Sequence, residues 1–178
     1  KGIAMVHQEL QPIPARTVGE NIFLGRYPLK KLFGFIPFID HKKMYADTAE
    51  LLKKVRMNFD PKQKVGELSV SQMQSVEIAK AVSANCRVLI LDEPTAVLTP
   101  QETRELFEQL KLLRENGHSI IFISHKLEEV MELCNNVTVL RHGYCNGTHP
   151  IEELDAAKIS RLMVGRDVVL KIDKEDPK

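Results

Sequence analysis

Two adjacent carboxylates at the end of an apolar run carry the sharpest chemistry in this sequence. Val88-Leu89-Ile90-Leu91 is followed at once by Asp92, Glu93, Pro94 and Thr95. An unbroken apolar run of this kind reads as a strand buried on both faces of a parallel sheet. Ligands in open α/β sheets sit beyond the carboxyl ends of the strands, so Asp92 and Glu93 would be delivered to a crevice. There Asp92 suits Mg²⁺, held directly or through water, and Glu93 suits a water molecule made ready to attack. Transfer of a phosphoryl group to water needs both parts. Two solvated acids closing a strand are the plainer account of the same residues.

Three further segments could join them. About twenty residues before Asp92, Leu68-Ser69-Val70-Ser71-Gln72 opens a helix expected over Ser69–Ser83. Free N–H groups and the helix dipole there favour an anion, and the serine hydroxyls add donors. Gln8 follows the apolar Ile3-Ala4-Met5-Val6, and His125 closes the apolar Ser119–Ser124. A lone Gln or His at a strand end often does no more than make a hydrogen bond. Nowhere does the chain contain G-x-x-x-x-G-K-S/T, the loop whose backbone N–H groups cradle phosphates.

The elements that must position these groups alternate between strand and helix. Thr17, with Glu20 three residues on, is a capping box for a short helix. Asp40 caps a helix from His41 to Val55, with Met44, Ala49, Leu51, Leu52 and Val55 as its apolar positions. The helix from Ser69 would bury Met73, Val76, Ala79, Ala81 and Val82. Thr99-Pro100-Gln101-Glu102 is a strong helix start, with Thr99 as cap, Pro100 at the first helical position and Glu102 completing the box. Leu106, Phe107, Leu110 and Leu113 form its apolar face, and Gly117 ends it. Ser119–Ser124 reads as a second buried strand. Strand, helix and strand here make a βαβ unit with parallel strands. A helix near Lys126–Leu133, two short strands around His142-Gly143 and a helix over Asp155–Val164 complete the pattern. The apolar stretch Leu32–Ile39 contains Gly34 and Pro37 and reads as a loop tucked on its own core; exposed, it would mark a partner.

Composition bounds the rest. The chain has 178 residues, enough for one domain with a real core. Its net charge of +1 gives no field to recruit nucleic acid or an anionic membrane. The three cysteines Cys86, Cys134 and Cys145 have neither disulfide-framework nor metal-ligand spacing, which suits a reducing compartment. No apolar run approaches the length of a membrane helix.

The motifs resemble those of ABC transporter ATP-binding domains over nearly the whole chain. Val88–Thr95 is similar to the Walker B strand, and Leu68–Gln72 to the L-S-G-G-Q signature. Gln8 resembles the glutamine that opens the Q-loop, His125 the switch histidine, and Ala96-Val97-Leu98-Thr99 the D-loop. Leu24-Gly25-Arg26-Tyr27-Pro28, Ile123-Ser124-His125-Lys126 and Met163-Val164-Gly165-Arg166-Asp167 narrow the likeness to the monosaccharide-importer branch, and within it to importers of galactosides. Val70 and Ser71 stand where the general signature has two glycines, a variant that this branch accepts. Ala96 and Val97 stand where it often has serines.

The resemblance implies a P-loop NTPase-like α/β fold with a parallel-sheet core and a helical signature subdomain near residues 17–83. Residues 1–167 would be a partial ATPase domain, truncated at the N-terminus before the Q-loop, and 168–178 a linker toward a second ATPase domain. It implies ATP and Mg²⁺ as cofactors, with Asp92 and Gln8 at the metal and Glu93, His125 and Gln8 as catalytic residues. Ser69, Val70, Ser71 and Gln72 would close over ATP held by a partner domain, and Ala96–Thr99 would lie at that interface. The implied partners are a second ATPase domain (in the same polypeptide, or from a second copy in a homodimer), membrane permease subunits and, indirectly, a periplasmic sugar-binding protein, with the chain at the cytoplasmic face of the bacterial inner membrane. Alternatives are a non-catalytic half-site and a soluble ABC ATPase outside transport; the balanced charge disfavours the latter. Without a phosphate loop, the isolated chain is expected to be inactive.

Overall fold

The computed structural model describes residues 2–32 and 35–164. The chain divides into two compact units, Lys1–Ile123 and Ser124–Lys178.

The first unit is built on a parallel three-stranded sheet of β1 (Ile3–Val6), β4 (Val88–Asp92) and β5 (Ser119–Ile123), in the order β1-β4-β5. The strand that carries Asp92 is thus central. Its register sets Val6 beside Leu91, and Leu91 beside Phe122. Helix α4 (Pro100–Glu115) returns the chain from β4 to β5. Leu106, Phe107, Leu110 and Leu113 are all buried, as their spacing requires, and the Phe107 ring meets Phe122 edge-on at 5.9 Å.

One expectation about this sheet is corrected. The strands were expected to be buried on both faces, yet only alternate residues are covered. Leu89, Leu91 and Val6 are buried, while Ile3, Met5, Ile121 and Ile123 remain exposed. Side chains alternate across a strand. The exposed set therefore lies on the face opposite Phe107, where Val88 and Ile90 are half-buried.

The other helices of the first unit pack on one another. Helix α1 (Val18–Ile22) is capped by Thr17 with Glu20 in the reciprocal box. Asn21, 1% exposed, stitches the proline-rich entry by accepting from Ile13 N–H and donating to the carbonyls of Ile13 and Thr17. Helix α2 (His41–Lys54) is capped by Asp40. It buries Met44, Thr48 and Leu52, whereas Ala49 is exposed. Thr48 tolerates burial because its hydroxyl donates to the Met44 carbonyl at 2.8 Å. Helix α3 (Val70–Ser83) buries Val76, Ile78, Ala79 and Ala81, while Met73 and Val82 are half-buried.

The stretch read as a tucked loop is instead a hairpin. β2 (Leu29–Leu32) pairs antiparallel with β3 (Ile36–Ile39), and Phe35 and Phe38 are 75% and 54% exposed. Phe33 and Gly34 lie outside the described residues. Pro37 is tolerated because a two-stranded ribbon leaves one edge of each strand without a hydrogen-bonding demand.

The second unit holds α5 (Leu127–Leu133), the antiparallel pair β6 (Asn136–Arg141) and β7 (Tyr144–Pro150), and α6 (Ala156–Val164). Val130, Val137 and Val139 form its core, with Ile151, Leu154 and Leu162 packed against them. The Arg166-Asp167 motif and the tail from 168 lie outside the described residues.

Candidate functional site

Two bends that follow paired strand ends bring the first pair of groups together. Val6 stands beside Leu91 at the last paired position, and Gln8 and Glu93 each lie two residues beyond it. Gln8 Nε2 lies 3.5 Å from Glu93 Oε2, at the outer limit of a hydrogen bond. With its amide N–H₂ directed at Glu93, Gln8 keeps its carbonyl oxygen for another partner.

Glu93 sits in the left-handed region with φ of 44°. Its backbone N–H donates to the Ile123 carbonyl at 2.9 Å, which ties it to the end of the neighbouring strand. Such a conformation costs a non-glycine residue on the order of 1–3 kcal/mol and persists only where the surroundings fix it. Here buried Pro94 and Thr95 follow immediately, and the Glu93 carbonyl accepts from Ala96 N–H to start the next turn.

Asp92, the last residue of β4, is half-buried. Mg²⁺ takes oxygen ligands, keeps several waters and is usually held by one or two carboxylates together with substrate phosphates. The Asp92 carboxylate and the Gln8 carbonyl oxygen fit that donor set. Among the described residues no group of three or more His, Cys, Asp or Glu side chains could hold a metal ion.

A second group of residues gathers where α3 and α4 begin. Ser69 is the N-cap of α3: its hydroxyl accepts from Gln72 N–H at 3.3 Å, and Gln72 Oε1 accepts from Ser69 N–H at 2.9 Å. Ser71 Oγ is 2.8 Å from Ser69 Oγ and donates to Glu102 Oε1 at 2.7 Å. Glu102 Oε2 accepts from both the N–H and the hydroxyl of Thr99, each at 2.9 Å. The Ser71 hydroxyl first, and then Thr99, hold the Glu102 carboxyl below the usual carboxylate range. The Ser69–Gln72 loop and the turn ending at Thr99 are thus joined by one side chain. Sequence reading found Glu102 only as a local cap. Val70 is 49% exposed, with its backbone at the start of the helix. In the turn, Ala96, Val97 and Thr99 are exposed and Leu98 is half-buried.

His125 belongs to the second unit, two residues beyond β5, and is exposed. Its neighbours fix the local chain. The Ser124 hydroxyl accepts from Lys126 N–H at 3.1 Å and donates to Glu129 at 3.2 Å, and the Lys126 ammonium pairs with Glu129 at 3.1 Å.

Arg26, quoted from sequence only as part of a motif, ties the chain after α1 to α3. Its guanidinium donates to the Ile22 carbonyl, the Ser83 carbonyl and the Ser83 hydroxyl at 3.0, 3.0 and 2.8 Å. It also lines a groove of about 510 Å³ with Met5, Val6, His7, Leu24 and Lys80, next to Gln8 in the chain.

Known proteins supply the context for this geometry. A family model described as "ABC transporter" matches residues 1–96. The chain is 50% identical over 167 residues to the galactose/methyl galactoside import ATP-binding protein MglA of Clostridium tetani, covering 94% of this chain and 33% of that protein. It is 47% identical over 176 residues to the protein of the same name from Salmonella typhimurium, covering 98% of this chain and 34% of that protein. The chain therefore spans about a third of the length of these curated relatives. Among solved structures, the ADP conformation of MJ1267, an ATP-binding cassette of an ABC transporter, matches with a TM-score of 0.73 at 24% identity, covering 93% of this chain and 69% of that one. CbiO1 of Clostridium perfringens, part of the ABC transporter complex cbiONQ, matches with a TM-score of 0.71 at 25% identity, covering 92% of this chain and 63% of that one.

Proposed function

The chain belongs to the ABC transporter family, and from that membership we propose that it is part of the ATP-hydrolysing, energy-coupling subunit of a monosaccharide importer whose sugars are galactose and methyl galactosides. The observation that carries the reading is the Gln8 amide set against the Glu93 carboxylate at the end of the Asp92 strand.

In this reading Asp92 and the Gln8 carbonyl hold Mg²⁺, which neutralises phosphate charge during transfer. Glu93 orients and polarises the attacking water, and Gln8 fixes the Glu93 carboxylate. His125 contacts the γ-phosphate. The N-terminus of α3, through Ser69, Val70, Ser71 and Gln72, faces ATP held by a second ATPase domain, and Ala96–Thr99 pack at that interface. The phosphate loop for each site comes from sequence this chain does not contain.

Permease subunits are the proposed partners for coupling. Two features of the first unit support a docking surface: the groove beside Gln8, and the hairpin that exposes Leu29, Phe35 and Phe38. Exposed aromatic residues are enriched where proteins meet. No helix among the described residues is long and apolar enough to cross a membrane. Attachment at the cytoplasmic face of the inner membrane would then run through the permease, and a periplasmic sugar-binding protein would deliver the sugar on the other side.

The test is uptake. Bacteria lacking their own galactoside-importer ATPase receive the full-length protein with its permease and binding protein, and labelled galactose, methyl galactoside, ribose and xylose are offered. Uptake of the two galactosides, lost on Glu93→Gln, is the expected result. Uptake of ribose or xylose in their place would overturn the sugar assignment, and uptake indifferent to Glu93 would overturn the energy-coupling role.

A further inference from the structure

The hydrogen bonds around Ser71 fix the direction of both serine hydroxyl protons in the loop. Glu102 lies below the usual carboxylate range, so near neutral pH it is an acceptor only. Ser71 Oγ, 2.7 Å away, must donate to it. A serine hydroxyl has one proton. The 2.8 Å approach of Ser69 Oγ to Ser71 Oγ therefore takes its proton from Ser69. Ser69 meets the Gln72 N–H with a lone pair. Both hydroxyl protons at the start of α3 are committed inward, along the path Ser69 to Ser71 to Glu102.

We propose that Glu102 is a positioning residue that restrains these two hydroxyls, so that an anion seated at the start of α3 must first draw their protons away from it. The inference rests on the reading of Ser69–Gln72 as the loop that faces ATP. A phosphate oxygen is an acceptor, and it competes with the carboxylate for the same protons. When Ser71 turns away, Glu102 Oε2 keeps its bonds to Thr99, which closes the turn 96–99. One side chain thus joins the loop to the start of α4. Ser71 and Glu102 border a cavity of about 440 Å³, which Gln72, Ser75 and Gln109 also line.

The test is steady-state ATP hydrolysis by the full-length protein carrying E102Q, S71A, both, or S69D. E102Q keeps a side-chain oxygen for the Thr99 N–H and removes the charge. It is expected to lower the KM for ATP about threefold to tenfold, the worth of one hydrogen bond, with kcat nearly unchanged. In the S71A background E102Q is expected to have no further effect. S69D keeps a capping acceptor but sets a carboxylate against the phosphate, and is expected to raise KM. A KM unchanged or raised by E102Q while S69D raises it would overturn the restraint and leave the loop reading standing. A KM unmoved by S69D would overturn the loop reading, and the restraint with it.

Discussion

Gln8 Nε2 lies 3.5 Å from Glu93 Oε2 across 85 residues of sequence. The parallel pairing of β1 with β4 brings them together, and the Ile123 carbonyl holds the backbone of Glu93 from the other side. The Glu93 backbone is thus tied to the end of β5, and its carboxylate meets the bend that follows β1. That is the preorganisation a water-orienting group needs, because no rearrangement is then required as the reaction proceeds.

The positive φ at Glu93 has a measurable consequence. Any residue with a Cβ carries the steric cost of the left-handed region, and glycine does not. Glu93→Gly is expected to be more stable than Glu93→Ala by about 1 kcal/mol, with both variants inactive. Urea denaturation of the two variants checks this, and equal midpoints would mean that the backbone there is not strained.

Acid should weaken the helix starts in a defined window. Burial raises the Glu20 carboxyl, but the bonds from the Thr17 backbone and hydroxyl, with the Arg16 charge, outweigh it and leave it lowered. Glu102 is lowered by Ser71 and Thr99. A carboxyl lowered on folding stabilises fully above its unfolded value, near about 4.3, and loses that contribution as pH falls through the folded value. Stability is therefore expected to rise with pH across that interval. Urea midpoints measured from about pH 3 to about pH 7 should show a shallower rise in Glu20→Gln. An unchanged slope would contradict the assignment.

The hairpin gives a prediction about coupling. Phe35 and Phe38 are exposed, so replacing both with Ser should change stability by no more than about 0.5 kcal/mol each. Sugar uptake by the intact protein is expected to fall while ATP binding survives. Uptake at the parent rate would remove this surface from the docking proposal.

Local signals were legible in the sequence, and contacts between distant segments were not. Thr17 with Glu20, and Thr99 with Pro100 and Glu102, announce helix starts because a cap is settled within four residues. The Val88–Leu91 run announces a parallel-sheet strand by composition, and the structure makes it the central one. The uncovered face at Met5 and Ile121 could not be read, because burial depends on what packs against a sheet and not on the strand itself. Gly34 and Pro37 argued for a loop, while antiparallel pairing of Leu29–Leu32 with Ile36–Ile39 made a hairpin of the segment. Thr48, four residues from both Met44 and Leu52 on one helix face, takes the buried place expected for Ala49, and its hydroxyl bonds back to Met44. The link from Ser71 to Glu102 spans 31 residues, and nothing in either local string signals it.

The most direct test of the catalytic reading is single-turnover ATP hydrolysis by the full-length protein carrying Glu93→Gln, with nucleotide binding followed in parallel. A properly placed general base contributes about a hundredfold or more, so hydrolysis should slow by at least that factor while ATP still binds. Hydrolysis within about twofold of the parent, a change smaller than about 0.5 kcal/mol in the barrier, would mean that Glu93 does not prepare the attacking water.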